Sequence, residues 1–187
     1  MKCSVFIATS ADGYIATNDG GVAWLESAGK KDAEMGHEAD MGMNSYIASV
    51  DCMIMGRKCM EVISSFNLPP EHWPYGDIKI IALSNTLTTA PDNLKDKVEM
   101  YSGDIHSLIA KLESDGYKHA YVDGGSTITE FINLQLINEM TITKAPVLLG
   151  EGLPLFGKIV NQITLTDVTA RDYPNGFAQL HYKVSYD

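Results

Sequence analysis

AYVDGGSTITEF, residues 120–131, joins an apolar run to a helical one through two adjacent glycines followed by two hydroxyl residues. Glycine gives up more backbone freedom on folding than any other residue, so an adjacent pair needs a physical reason. One reason is a tight strand-to-helix turn whose backbone angles other residues resist. The other is an anion. A helix starting at Ser126 leaves its first N–H groups unpaired at the positive end of its dipole, and glycine keeps side chains out of the way of a phosphate. The spacing is neither GxGxxG nor GxxxxGK followed by Ser or Thr, so these residues alone leave both readings open. What the stretch does decide is a strand, a turn and a helix in direct succession.

The same unit recurs on either side. CSVFIA (3–8) reads as a short buried strand, and the turn-rich run to Gly21 as a long loop. Met35, Ala39, Met43, Tyr46 and Ile47 fall at helical spacing and predict a helix over 31–49, interrupted by Gly36 and Gly42. DCMIM (51–55) is a strand followed by a helix to about Ser65; three prolines make 67–77 a loop. KIIALS (79–84) and VEMYS (98–102) are strands, and Ile105, Leu108, Ile109 and Leu112 mark an amphipathic helix with Asp104 as N-cap and Gly116 as terminator. HAYVD (119–123) is a strand, and Thr127 with Glu130 has capping-box spacing for a helix starting at Ser126 or Thr127. Residues 137–143 read as a strand with one face partly wet. QITLTDVTARDY and FAQLHYKVSY, joined through Pro174, Asn175 and Gly176, predict an antiparallel hairpin. Alternation followed by consecutive strands predicts one α/β domain over 1–187, with a mixed sheet and helices on both faces.

The 187 residues carry 14 Lys plus Arg against 24 Asp plus Glu, a net charge of −10, which opposes nucleic acid and anionic membranes. Any bound anion therefore needs a local cluster of donors. The N-terminal apolar run is too short for a signal peptide, and no run suits a membrane helix, so a cytoplasmic protein is expected. Cys3, Cys52 and Cys59 form no CxxC pair and the five histidines no HExxH, so neither a disulfide framework nor a metal site is indicated. Cys3 and Cys52 lie in apolar runs, as buried hydrophobes would.

MGRK (55–58) is a second strand end that opens a helix. Arg57 and Lys58 are adjacent cations where a helix start favours acidic neighbours. They are either a solvated pair or the grip for a phosphate. One glycine-rich and one cationic helix start fit a dinucleotide whose pyrophosphate and 2′-phosphate bind at different places along one sheet edge, NADP rather than NAD.

SVFIATSADGYIA, DCMIMGRKCMEVI, IIALSNTL, AYVDGGSTITEFI and INEMTITKAPVLLGEGLPLF follow one another in an order that resembles the dihydrofolate reductase-like superfamily. The last two blocks are most similar to the reductase domain of the riboflavin-biosynthesis deaminase-reductases. The resemblance spans about residues 3–157. It implies a three-layer α/β/α fold around a mixed, mainly parallel sheet of about eight strands, with NADPH as cofactor. It also implies hydride transfer to a small nitrogen heterocycle, either pterin-like or like the phosphoribosylaminouracil of riboflavin synthesis. Carried over by position, Ala8 and Ile15 flank the nicotinamide, under a loop through Asp12 and Gly13. Gly56, Arg57 and Lys58 grip the adenosine phosphates, Ser84 and Asn85 lie on the 2′-phosphate side, and Tyr101, Ser102 and Gly103 on the adenine side. Asp123, Gly124, Gly125, Ser126 and Thr127 cradle the pyrophosphate.

For the proton, folate reductases use a helix carboxylate sixteen residues before the glycine of MGR, which falls here on Asp40; its other reading is a solvated helix carboxylate. Trp24 matches an active-site tryptophan of folate reductases and reads equally as a core anchor. The helix after Asp40 has no arginine to hold a glutamate tail, Asn138 stands where riboflavin reductases usually carry aspartate, and no deaminase zinc motif precedes the domain. The rival reading is a non-catalytic NADP(H)-binding sensor of the same fold. Leu148, Leu149, Leu153, Leu155 and Phe156 predict a homodimer surface.

Overall fold

The computed structural model describes residues 1–186. In chain order the elements are β1 (Lys2–Ser10), β2 (Tyr14–Ala16), α1 (Trp24–Ser27), α2 (Met43–Ile47), β3 (Cys52–Gly56), α3 (Arg57–Ser65), β4 (Lys79–Leu83) and β5 (Val98–Tyr101). They continue as α4 (Ile105–Ser114), β6 (His119–Asp123), α5 (Gly125–Asn133), β7 (Glu139–Ala145), β8 (Leu153–Pro154), β9 (Thr164–Asp172) and β10 (Ala178–Ser185). Eight strands form one sheet in the order β5-β4-β3-β6-β1-β7-β10-β9, and β2 pairs with β8 apart from it. Every pairing from β5 to β7 is parallel, while β10 runs antiparallel to β7 and β9.

Strand side chains alternate between two covered faces. On one, Val5, Ile54, Val122, Met140 and Ile142 meet Leu108 and Leu112 of α4 and Ile128 and Phe131 of α5. On the other, Met53, Met55, Ile80 and Tyr121 meet Ile47 of α2 and Met60 and Ile63 of α3. Asp104 caps α4 by accepting from the Ser107 N–H at 2.8 Å. The wet face expected of residues 137–143 is there: Glu139 and Thr141 are half-buried while Met140 and Ile142 are buried. No helix among the described residues is long and apolar enough to cross a membrane.

Two local expectations are corrected. No helix runs from 31 to 49: a 3-10 turn at Gly36–Glu38 precedes the five-residue α2. Gly36, Met41 and Gly42 have φ of 55, 48 and 89°, a left-handed conformation through which a right-handed helix cannot pass. No capping box starts α5 either. It begins one residue earlier than the earlier of the two expected starts, at Gly125, after an N-cap Gly124 that has no side-chain partner, and Thr127 is buried in its first turn.

The C-terminal hairpin secures the segment where the long helix was expected. Gln179 Nε2 donates to the Met41 carbonyl (3.0 Å) and to Thr143 Oγ1 (2.9 Å), and the Tyr173 hydroxyl donates to Gln179 Oε1 (3.1 Å). Arg171 pairs with Glu38. Trp24 is buried in a third cluster with Ala145, Tyr173 and Phe177.

Candidate active site

Two helix starts face each other. Gly56 is the N-cap of α3 and Gly124 that of α5; neither helix has a side-chain cap or an acidic residue in its first turn. A Cβ at Gly56 would lie 2.9 Å from Thr127 Oγ1 of α5, and one at Gly124 would lie 2.5 Å from Cys59 Sγ of α3. Each helix start therefore depends on a glycine to admit the other. Two positive dipole ends and their unpaired first-turn N–H groups converge as a result.

These starts form part of a cleft of about 870 Å³ at the C-terminal ends of the parallel strands. It collects Ile15, Gly56, Arg57, Lys58, Ser84, Asn85, Gly103, Gly124, Gly125, Ser126 and Thr127 from the residues picked out in the sequence. Tyr101 also lines it, as do Cys59, Thr86, Thr129, Asn133 and Pro154, for which the sequence held no site signal, and Leu153, expected instead at a dimer surface. Arg57 is half-buried and paired with Glu61 at 2.9 Å, one helical turn on. Ser84 Oγ accepts from the N–H groups of Thr86 (3.2 Å) and Leu87 (2.9 Å), which shapes the loop beside it. Ser102 is exposed outside the cleft lining, and Ala8 is half-buried on β1.

The structure gives each glycine of the pair a requirement of its own. Gly124 has φ +94°, a turn requirement. Gly125 is crowded instead by chain: its Cβ would stand 2.7 Å from the Pro154 carbonyl and 3.0 Å from that of Leu155. β8 thus covers Gly125 and joins the cleft wall. Asp12 ties down the preceding loop by accepting from the N–H of Gly150 (2.8 Å) and of Leu149 (3.2 Å).

Asp123 adjoins the cleft through Gly124 and Cys59, and by strand alternation its side chain shares a face with Tyr121. Burial pushes its carboxyl up to about 6, against the Gly124 N–H, the Tyr121 hydroxyl and the Cys59 thiol, which lower it. The Tyr121 hydroxyl also donates to the Phe6 carbonyl at 3.0 Å. Tyr46 stacks on Phe6 at 4.7 Å and meets Tyr121 edge-on at 5.1 Å. Burial also raises the Tyr46, Tyr75 and Cys59 hydroxyl and thiol groups, with Asp123 adding to each.

Asp40, Trp24, Ala8 and Asp123 itself lie outside the cleft lining. Asp40 accepts from the N–H groups of Asn44 (2.8 Å) and Gly42 (3.2 Å), which hold its carboxyl below the usual range and cap α2. The indole N–H of Trp24 has no partner within its cluster.

The model of the family described as RibD C-terminal domain matches residues 2–178. A crystal structure of a Shewanella sp. PV-4 protein named for riboflavin biosynthesis is 36% identical, with a TM-score of 0.87 over 99% of both chains. The uncharacterized YwjB of Bacillus subtilis is 30% identical over 97% of each chain. Enterococcus faecalis dihydrofolate reductase, solved with NADP(H), shares the fold at 14% identity and a TM-score of 0.61, over 98% of this chain and 96% of that one.

Proposed function

Because the chain belongs to the RibD C-terminal domain family, we propose that it is an NADPH-dependent reductase of a small nitrogen heterocycle, pterin-like or ribosylaminopyrimidine-like. The observation that carries this reading is the pair of glycine-capped helix starts opening into one cleft beside Arg57 and Lys58. In an acidic molecule that concentration of N–H donors and cations suits a phosphate-rich cosubstrate. The first-turn N–H groups of α3 and α5 would hold the pyrophosphate. Arg57, Ser84, Asn85 and Thr86 would take the 2′-phosphate, and Tyr101 with Gly103 the adenine. Bound NADPH supplies a hydride.

The acceptor then needs a proton at the reduced atom. We assign that proton to the carboxyl of Asp123, which burial keeps partly protonated near neutral pH. Asp40 is the weaker candidate, since two N–H groups stabilise its charged form. Trp24 we assign to anchoring the hairpin.

Calorimetry with each pyridine nucleotide tests the reading, and stoichiometric NADPH oxidation with a heterocycle separates a reductase from a sensor. Arg57→Ala is expected to weaken NADPH by a factor on the order of 10–100, the worth of a charge-assisted contact, and NADH by less than threefold. Equal loss for both would remove the 2′-phosphate assignment. We further propose a cytoplasmic homodimer. Leu148, Val160 and Val168 are 73, 67 and 56% exposed, and every residue of β9 is exposed. Of the apolar loop residues expected at that surface, Leu155 is buried instead. Light scattering that reports one chain's mass at all concentrations would exclude the dimer.

A further inference from the structure

One wall of the cleft is a stretch with little regular structure of its own. Positions 155–163, beyond the two residues of β8, belong to no helix or strand, yet Leu153, Pro154 and Gly157 line the cleft. An irregular segment keeps its place only where its backbone groups find partners. Leu155 donates its N–H to the Gly13 carbonyl at 3.0 Å. From 156 to 163, among the described residues, the backbone hydrogen bonds go to two side chains of α5.

Those side chains are Thr129 and Asn133, one helical turn apart and both in the cleft lining. Asn133 donates from Nδ2 to the Lys158 carbonyl (3.0 Å) and accepts at Oδ1 from the Val160 N–H (3.0 Å). The Thr129 hydroxyl accepts from the Gly157 N–H (2.9 Å) and donates to the Gly125 carbonyl (2.7 Å). It therefore ties the segment to the first residue of α5. The two also meet directly, since the Pro154 and Leu155 carbonyls stand too close to Gly125 for any side chain there.

Thr129 is buried, whereas Gly157 is exposed. Without the hydroxyl, the Gly157 N–H can turn to water, and the Gly125 carbonyl keeps its place in the helix ladder. The loss then falls on the placement of the wall and spares the core.

We propose, resting on the reading of the cleft as a pyridine-nucleotide site, that Thr129 is a positioning residue. Its hydroxyl fixes segment 153–160 against Gly125 and so holds the wall where the cofactor meets it, and Asn133 secures the same segment farther along. Leu153, Pro154 and Gly157 carry no charge with which to tell a 2′-phosphate from a hydroxyl. Thr129 therefore governs NADPH and NADH alike, in contrast to Arg57.

Thr129→Val keeps the shape of the side chain and deletes the hydroxyl. Calorimetry is expected to show NADPH and NADH each bound about tenfold more weakly, with the melting temperature nearly unchanged. Thr129→Ser, which keeps the hydroxyl, is expected to bind both within about threefold of wild type. Amide exchange reads the wall without a ligand: in Thr129→Val the Leu155 N–H, whose own acceptor is untouched, is expected to exchange roughly fivefold faster or more. Asn133→Ala, at an exposed position, repeats the test from the second anchor and is expected to weaken both nucleotides by a smaller factor. Wild-type affinities in the valine variant, or a serine variant as weak as the valine one, would overturn the role of the hydroxyl. Unchanged exchange at Leu155 would do the same, as would a loss confined to NADPH. Binding of neither nucleotide by the wild type would remove the cofactor reading, and the positioning role with it.

Discussion

Asp123→Asn is expected to lower kcat by a factor on the order of 10²–10⁴ and yet to raise the melting temperature at neutral pH. The first effect is the usual worth of a positioned general acid. The second follows from linkage. The folded carboxyl binds its proton up to about pH 6, against an ordinary value of 3.8, so between these values the native state holds a proton that the unfolded chain has released. Stability therefore falls as pH rises from about 4 to about 6, and above that the native state carries the penalty of a half-buried charge, at most about 3 kcal/mol. Asparagine removes the charge and the penalty together. The wild-type kcat is expected to fall tenfold per pH unit above about 6, as the acid form is lost, whereas the variant's residual rate should be flat there. A variant with wild-type kcat and an unchanged pH profile would pass the role to another group, Asp40 first.

Gly124→Ala is the second large effect, and its two causes can be separated. Any Cβ there has to adopt φ near +94° and would stand 2.5 Å from Cys59 Sγ. Left-handed strain costs about 1–2 kcal/mol and overpacking about 1–3 kcal/mol, so denaturant unfolding is expected to show a loss on the order of 3 kcal/mol. NADPH affinity should fall at least a hundredfold, because α3 and α5 can no longer approach. Cys59→Ala in the same chain removes the clash and leaves the strain. The double variant is thus expected to recover about half of the lost stability; no recovery would show that the backbone angle accounts for the whole effect. Gly125 differs. There a side chain would press on the Pro154 carbonyl and displace β8, so a valine at Gly125 disturbs the cleft wall as well as the cofactor.

Strands and helices with strong local signals were legible in the sequence. The span His119–Asp123 follows from its apolar run, and the α4 cap from Asp104. The two helix starts that open into the cleft were legible too, since each is continuous in sequence. Three things were not. The break at Met41 and Gly42 depends on left-handed angles that helical periodicity does not register. The start of α5 was misplaced because Thr127 and Glu130 have capping spacing, yet Thr127 is buried against Gly56. The cluster around Asp123 is assembled from β1, β6, α2 and residues near Tyr75, four separate stretches that sheet order and helix packing bring together. The one local signal for it was alternation: two residues before Asp123 on the same face stands Tyr121.

The place of β1 in the sheet bears on how this chain reaches its native state. Its neighbours on both sides come late, with Lys2 registered against His119 and Ser4 against Glu139. β1 must therefore wait until β6 and β7 have been made before either edge is satisfied. Such long-range closure slows folding and prolongs the exposure of sticky intermediates. Truncations ending before residue 139 are accordingly expected to aggregate rather than to form a smaller soluble unit.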